Sequence, residues 1–412
     1  MKFEFVDQRE KYNAKIKVIG IGGGGGNAVN NMIASKLKGV EFIAANTDSQ
    51  DLERSVCSHR LQLGVTITKG LGSGSDPEIG RMSAEESIND IRDATTGADM
   101  VFITAGMGGG TGTGASPIIA RECKESGALT VAVVTKPFKF EGEKRMNKAL
   151  AGIDKLKKEV DTLIIIPNER LKAIGNEKTT FKDLIIRADD VLLNAVKGIS
   201  DLIMSNGFIN LDFADVKKVM SEMGTAIMGT GRASGENRAM EAAQEAINSP
   251  LLEDISISGA KGLLMNITGP EDLTMDEVDE SANYIKGEVA EDAEIFWGAE
   301  DAEIFWGMVF DDTMEDEVRI TVIATGIGKD HYNKVVRLRD VTPDEAKGSW
   351  TVKVNGEHMN ELDIPAFQRR QEDEQSEPAV EEKMPEPKKG FFKKAFFKND
   401  LDVPTFLRAK AD

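Results

Sequence analysis

Cysteine, histidine and long apolar runs are all scarce in this sequence, and each scarcity excludes something. Two cysteines, Cys57 and Cys123, in 412 residues give no disulfide framework; both lie in helix or strand patterns and read as small core residues. Three scattered histidines beside two cysteines make no convincing zinc site. No run of about 18 apolar residues occurs, so no membrane-spanning helix is expected. The first residues, MKFEFVDQREKYN, are charged and lack the apolar stretch of a signal peptide, which points to a cytoplasmic protein. Positive charge is also in deficit: the formal net charge is -19. A surface this acidic repels phosphate backbones, so no nucleic-acid partner is expected. A single nucleotide is not excluded, because such sites use backbone N–H groups and a metal ion rather than net charge.

What is present is a repeated strand-and-helix pattern. KIKVIGI (15–21), GVEFIAAN (39–46), DMVFITAG (99–106), LTVAVVTKP (129–137) and DTLIIIPN (161–168) are short apolar runs that read as buried strands. Helical patterns lie between them, as at Asn27–Ser35 and Ala115–Ser126. Such alternation gives parallel βαβ units covered on both faces. The fold expected is α/β: a Rossmann-like parallel-sheet domain over 14–181, after an N-terminal tail at 1–13. Ligands belong at the carboxyl ends of its strands. Residues 182–207 carry apolar positions three and four apart, the mark of one long amphipathic helix, with Gly207 as its C-terminal cap. That central helix leads to a smaller α+β domain at 208–330. Its helices are expected at Asp215–Met223 and Arg238–Ile247, its strands at Gly259–Ile267, Ala302–Phe310 and Glu317–Thr325. Residues 331–399 read as a largely flexible linker, most plainly QEDEQSEPAVEEKMPEPKK at 371–389, which is charged, Pro-containing and nearly without apolar content.

Two glycine clusters carry the chemistry. Gly20-Ile-Gly-Gly-Gly-Gly-Gly-Asn27 follows a strand and opens a helix. Glycine lets the backbone approach a phosphate, and a helix N-terminus offers free N–H groups. Gly20, Gly22 and Gly25 also satisfy the dinucleotide fingerprint, with Asp48 where a ribose-binding acid would sit, so this segment alone allows an NAD-dependent oxidoreductase. The second cluster, Gly106 to Gly114, follows another strand and opens another helix. No lysine follows it, so it is no Walker loop. Two such turns in one sheet suit one polyphosphate held from two sides, with Thr111 and Thr113 adding hydroxyl donors. A dinucleotide fold does not need the second turn.

GGGTGTG at 108–114, with GIGGGGGNAV (20–29), NTDSQ (46–50), KGLGSGSDPEIGR (69–81), PFKFEGEKR (137–145), NLDFADV (210–216) and RITVIATG (319–326) in order, resembles the tubulin/FtsZ family of GTPases. The resemblance runs from about 15 to 326. It implies GTP as substrate, with Mg²⁺ on the phosphates rather than on a dedicated protein metal site. It assigns the phosphates to Gly23, Gly24, Gly25, Gly26 and Asn27, and to Gly108, Gly109, Gly110, Thr111, Gly112, Thr113 and Gly114. Glu141 and Arg145 would contact the ribose and flanking groups; on local physics alone they are an i,i+4 helical ion pair. Asn27 and Asp189 would read the guanine edge, with Asp190 as a neighbouring alternative. Ile185 stands four residues before Asp189, where the family usually has Phe.

The resemblance further implies that Asn210, Asp212 and Asp215 enter the nucleotide site of the next subunit and polarise the attacking water. Read without it, Asp212 is a helix N-cap and Asp215 its N3 partner. A site shared in this way yields a homopolymer assembled head to tail, and the family's task is the cell-division ring. The C-terminal peptide at 400–412, containing LDVPTFLR (401–408), would dock onto membrane-tethering and regulatory division proteins, without direct membrane insertion. LDIPAFQR (362–369) resembles that peptide. AEDAEIFWG occurs at 290–298 and again at 299–307. The second copy is expected to run into a strand ending near Phe310 and paired with 318–325; the first would lengthen the preceding helix or bulge at its end. A non-hydrolysing nucleotide-binding scaffold is the remaining alternative, against which both acids of NLDFAD count.

Overall fold

The structure is a computed structural model and describes residues 14–172, 179–204, 211–221, 224–252, 262–291, 303–311 and 314–327. Asn210, Gly207, the 331–399 linker and both LDxPxF segments lie outside the described residues.

The apolar runs become strands and the segments between them helices. The first half comprises β1 (Ile16–Ile21), α1 (Gly22–Ala34), β2 (Val40–Asn46), α2 (Ser49–Arg54), β3 (His59–Gln62), α3 (Val65–Thr68), α4 (Pro77–Glu86), α5 (Ile88–Thr95), β4 (Met100–Gly106), α6 (Thr111–Glu125), β5 (Leu129–Lys136), α7 (Glu143–Glu159) and β6 (Thr162–Pro167). After α8 (Phe181–Met204) come α9 (Phe213–Ser221), β7 (Gly224–Ser234), α10 (Arg238–Ile247), β8 (Gly262–Gly269), α11 (Met275–Glu291), β9 (Glu303–Phe310) and β10 (Glu317–Ile327).

All the strands among the described residues join one ten-stranded sheet in the order β3-β2-β1-β4-β5-β6-β7-β10-β8-β9. From β3 to β7 every pairing is parallel. The two halves meet through β6 and β7, from Thr162↔Gly224 to Ile164↔Ala226. β10 runs antiparallel between β7 and β8.

Strand residues alternate between two cores, as a sheet covered on both faces requires. Ile16 and Val18 pack with Ala28, Val29 and Met32 of α1 and with Leu192, Val196 and Ile199 of α8. Ile19 and Ile21 face the other way, onto Ala115 and Ile119 of α6 and Leu156 of α7. α8, at 24 residues about 36 Å long, spans both halves: its apolar face also reaches Met228, Leu264 and Ile323. A third core lies under α10 and α11. Arg238 ties that end together, buried against Asp272, Glu277 and Asp316 at 2.8, 2.9 and 2.8 Å. No helix among the described residues is long and apolar enough to cross a membrane.

Several expectations need correction. The helices after the glycine clusters start earlier than the apolar pattern indicates, at Gly22 rather than Asn27 and at Thr111 rather than Ala115. The glycines and threonines are themselves the first helical turns. β9 does end at Phe310, but it pairs in parallel with β8, not with 318–325, because β10 is already paired on both sides by β7 and β8. α11 takes up Ala290 and Glu291 of the first repeat copy; the remainder of that copy lies outside the described residues. Both cysteines are buried and free, yet Cys57 sits between α2 and β3 rather than in a helix or strand. β7 has no counterpart in the apolar pattern. It is rich in glycine because α10 lies against it: a Cβ on Gly229 or Gly231 would strike the carbonyl of Ala246 or Ala242.

Candidate functional site

The two glycine turns stand side by side at the carboxyl ends of the adjacent parallel strands β1 and β4. Gly22, at φ +70°, makes the turn from β1 into α1, and a Cβ there would lie 3.0 Å from the backbone nitrogen of Gly112. Gly24 comes nearly as close to Gly106, at 3.3 Å. Gly25 abuts the Thr104 carbonyl, and Gly112 that of Gly106. These glycines let the turns touch. Gly110 is pressed against Ser73 and Asp76, and Gly114 against the Pro77 carbonyl. Gly108, at φ +99°, backs onto Arg145. A different set faces open space: among the described residues, a Cβ on Gly26 or Gly109 would meet nothing within 4 Å, and one on Gly23 would meet only Asp51, at 3.4 Å. A row of backbone with no side chains in front of it, at the start of α1, is what an oxyanion group requires.

A third segment closes against the second turn. Residues 69–76 take left-handed φ at Lys69, Gly70, Gly72, Gly74 and Ser75, and Lys148 Nζ donates to the Ser75 carbonyl at 2.6 Å. Within this contact the Thr111 hydroxyl meets Thr47 Oγ1 at 2.6 Å and Ser73 Oγ at 3.1 Å. Thr113 Oγ1 accepts from the Gly108 N–H at 2.8 Å. Both hydroxyls, expected as donors to a ligand, also help hold the turns in shape; Thr113 Oγ1 is the acceptor in its bond, so its own O–H is not used by it. Thr47 and Ser73 were not singled out from sequence; their small-polar neighbourhoods, NTDSQ and GSGSD, were the available signal.

Glu141 and Arg145 form the ion pair that i,i+4 spacing suggests, at 3.0 Å, while Glu141 Oε1 accepts from the Phe138 N–H at 2.8 Å. Packed on Gly108, Arg145 brings this pair to the rim of the second turn. Across the first turn, Asn31 Nδ2 of α1 donates to Asp190 Oδ1 of α8 at 2.9 Å. That bond occupies Asp190 and leaves Asp189 with no hydrogen bond among the described residues. Burial, and then the neighbouring Asp190 charge, push the Asp189 carboxyl up to about 7. Asn27 is exposed one helical turn before Asn31, and Ile185 is half-buried one turn before Asp189. Asn168, which follows β6 at the same end of the sheet, is a residue sequence reasoning missed. It is buried, and its Oδ1 has no partner among the described residues.

A cleft between α1 and α2 opens beside the first turn, lined among others by Gly23, Gly26, Asn27, Asn46, Asp51 and Arg54. Asn46 and Asp51 are oxygen donors of the kind Mg²⁺ takes.

The acids Asp212 and Asp215 belong elsewhere. The Asp212 carbonyl receives the N–H groups of Asp215 and Val216 at 3.1 and 3.2 Å, which starts α9. At the far end of α9 the Met220 carbonyl accepts from the hydroxyl of Thr162, the first residue of β6. α9 is therefore anchored at the amino end of β6, a strand of the same parallel sheet in which β1 and β4 carry the glycine turns at their carboxyl ends.

Two abutting glycine turns at the carboxyl ends of a doubly wound parallel sheet define a nucleotide-binding α/β protein. Residues 15–176 match the GTPase domain of the tubulin/FtsZ family, and residues 224–328 the C-terminal domain of the FtsZ family. The chain is 56% identical over 316 residues to a cell division protein FtsZ of Magnetospirillum gryphiswaldense, covering 77% of this chain and 55% of that one. To cell division protein FtsZ 2 of Rhizobium meliloti it is 54% identical, covering 76% and 88%. An empty FtsZ dimer of M. jannaschii superposes with a TM-score of 0.72 at 42% identity, covering 79% of this chain and 91% of that one. The chain belongs to the FtsZ family. It spans about half the length of the first relatives it matches. Family membership leaves the dehydrogenase reading without support. Asp48, its would-be ribose ligand, caps α2 instead by accepting from the Gln50 N–H at 2.9 Å.

Proposed function

We propose that this chain hydrolyses GTP at the contact between successive copies of itself in a head-to-tail filament that serves cell division. The observation that carries the reading is the separation of two half-sites: glycine turns at the carboxyl ends of the parallel strands, and Asp212 and Asp215 on α9, anchored at an amino end. A chain built this way brings the acids to a triphosphate by stacking copies, and such a contact does not close. The names of the relatives, cell division proteins and a dimer, support the same reading.

In this reading Gly23, Gly26 and Gly109 give the phosphates their open backbone, and the packed glycines keep the turns in register. Arg145 stands at the rim. Asp189 accepts the N1–H and exocyclic amine of guanine, a pairing adenine cannot offer, with Asn27 and Asn168 on the same edge. The acids of the next copy orient water, since phosphoryl transfer needs mainly positioning and charge stabilisation. Mg²⁺, arriving with the phosphates, would supply the charge neutralisation, with Asn46 and Asp51 within its reach. The 400–412 peptide would recruit membrane-tethering and regulatory partners, placing the filament in the cytoplasm at the division site.

The test is phosphate release per chain across a dilution series. It should rise with protein concentration and vanish on dilution. Asp212→Ala should bind GTP and assemble, yet release phosphate about 10²-fold more slowly or worse. The reading fails if dilute chains turn over as fast per molecule as concentrated ones, or if Asp212→Ala loses only the ~1 kcal/mol of stability of a helix cap.

A further inference from the structure

We propose that Asp51 makes capture of the nucleotide depend on a divalent cation, acting as a protein-side partner for the metal that the triphosphate carries. This rests on the reading that the α1 cradle takes GTP. The start of α1 presents free N–H groups and the positive end of a helix dipole, which favour an anion. Asp51 works against that. Its Oδ2 lies 3.4 Å from the place a Cβ on Gly23 would occupy, in the first turn of α2, and it lines the cleft that Gly23 and Gly26 open. Asn46 Nδ2 donates to the same oxygen at 3.3 Å, which turns the carboxylate toward the cleft and leaves Oδ1 available.

The charge is not neutralised by an ion pair among the described residues. Arg54 is the one basic residue lining the cleft. Neither glycine turn is followed by a lysine. A carboxylate facing a polyphosphate across a few ångströms repels it, unless an oxygen-seeking cation lies between them. With the cation present, the same carboxylate becomes an attraction. The competing explanation is structural, an acid in the first turn of α2 favouring its dipole. It is weak here, because Asp48 already caps that helix, and it predicts an effect on stability alone.

The two explanations separate on the sign of one variant. Full-length wild type and Asp51→Asn are titrated with the non-hydrolysable guanosine 5′-(β,γ-imido)triphosphate by calorimetry, in EDTA and in excess MgCl₂, at concentrations too low for turnover. In wild type Mg²⁺ should strengthen binding about tenfold or more; in Asp51→Asn the gain should shrink to about twofold. The variant should bind the analogue more tightly than wild type in EDTA and more weakly in MgCl₂. Asp51→Glu should restore the metal dependence. Mn²⁺ bound to the protein–analogue complex, counted by electron paramagnetic resonance, should fall in affinity with Asp51→Asn. An equal Mg²⁺ effect in wild type and Asp51→Asn overturns the inference while leaving the nucleotide site intact. So does a change confined to melting temperature. Failure of wild type to bind the analogue in either buffer would bring down the site reading, and this inference with it.

Discussion

The first and second glycine turns have nearly the same composition and do different work. In the first, Gly23 and Gly26 front onto open space or onto Asp51 alone, while Gly20, Gly22, Gly24 and Gly25 are pressed against neighbouring backbone. In the second, Gly109 alone is open; Gly108, Gly110, Gly112 and Gly114 are each wedged against Arg145, Ser73 with Asp76, Gly106, and Pro77. The first turn holds the cradle, at its open positions Gly23 and Gly26. The other is mainly a joint, letting α4, α7 and the 69–76 segment close around it. A glycine-rich stretch therefore does not by itself identify ligand-binding backbone; some of its glycines serve only to let protein backbone close in.

The largest test of this contrast is Gly114→Ala. Its methyl would land on the Pro77 carbonyl of α4, backbone that cannot swing aside as a side chain could. The expected loss is about 2–3 kcal/mol, or roughly 5–10 °C in melting temperature, with nucleotide binding falling only as the fold is lost. Gly110→Asp belongs to the same class, because its side chain heads into Ser73 and Asp76 rather than toward a phosphate. An unchanged melting temperature in Gly114→Ala would remove the distinction between joint and cradle.

The open glycines should answer the other way. Gly26→Ala adds a methyl that meets no protein at a helical position where alanine outranks glycine by about 1 kcal/mol. Melting temperature should hold or rise slightly, while GTP affinity drops about tenfold or more, because the methyl occupies phosphate space. Gly109→Ala should follow it. Unimpaired GTP affinity in both variants would show that the phosphates lie elsewhere.

The contrast also marks how far the sequence could be read. Five of the first six strands, the central helix and both glycine clusters were legible because parallel strands buried on both faces are unbroken apolar runs; β3, the short polar edge strand HRLQ, was not. What escaped was structure written in small residues. β7 hides in GTAIMGTGRAS because its glycines admit α10, and a strand whose side chains are missing carries no alternation to detect. The pairing of β9 escaped for another reason: no local signal tells a strand whether a later one will be inserted beside it. At the site, the residue types were legible, but the contacts each makes within the protein were not. Thr111 and Thr113 look like donors to a ligand, and only contact geometry shows their oxygens also meeting Thr47, Ser73 and the Gly108 N–H. Asn168 and Asp51 have no motif around them; one is notable for an unpartnered buried oxygen, the other for a charge beside bare backbone.

The smallest effect, and the one that tests the base rather than the phosphate end of the cradle, is a pH dependence. Asp189 is pushed up to about 7 by burial and by Asp190, so the free folded chain holds a proton there that an unfolded chain releases near 3.8. Between those values folding takes up a proton. The group's contribution therefore favours the fold at low pH and is lost as pH rises toward 7. Guanine binding runs in the opposite direction. Its two donors need the ionised carboxylate, so below about 7 binding must expel the proton, and affinity for GTP should weaken by up to tenfold for each unit of acidification. Above 7 it should level off. Asp189→Asn removes the titration: it should bind GTP more weakly at pH 8, with little change from pH 8 to 6, and should flatten the acid-side gain in stability. Asp190→Asn should keep the pH slope but shift it to lower pH, since the neighbouring negative charge that raises Asp189 is gone. A wild-type affinity that is flat from pH 8 to 6, measured by calorimetry with the non-hydrolysable analogue, would take Asp189 out of base recognition without touching the glycine cradle.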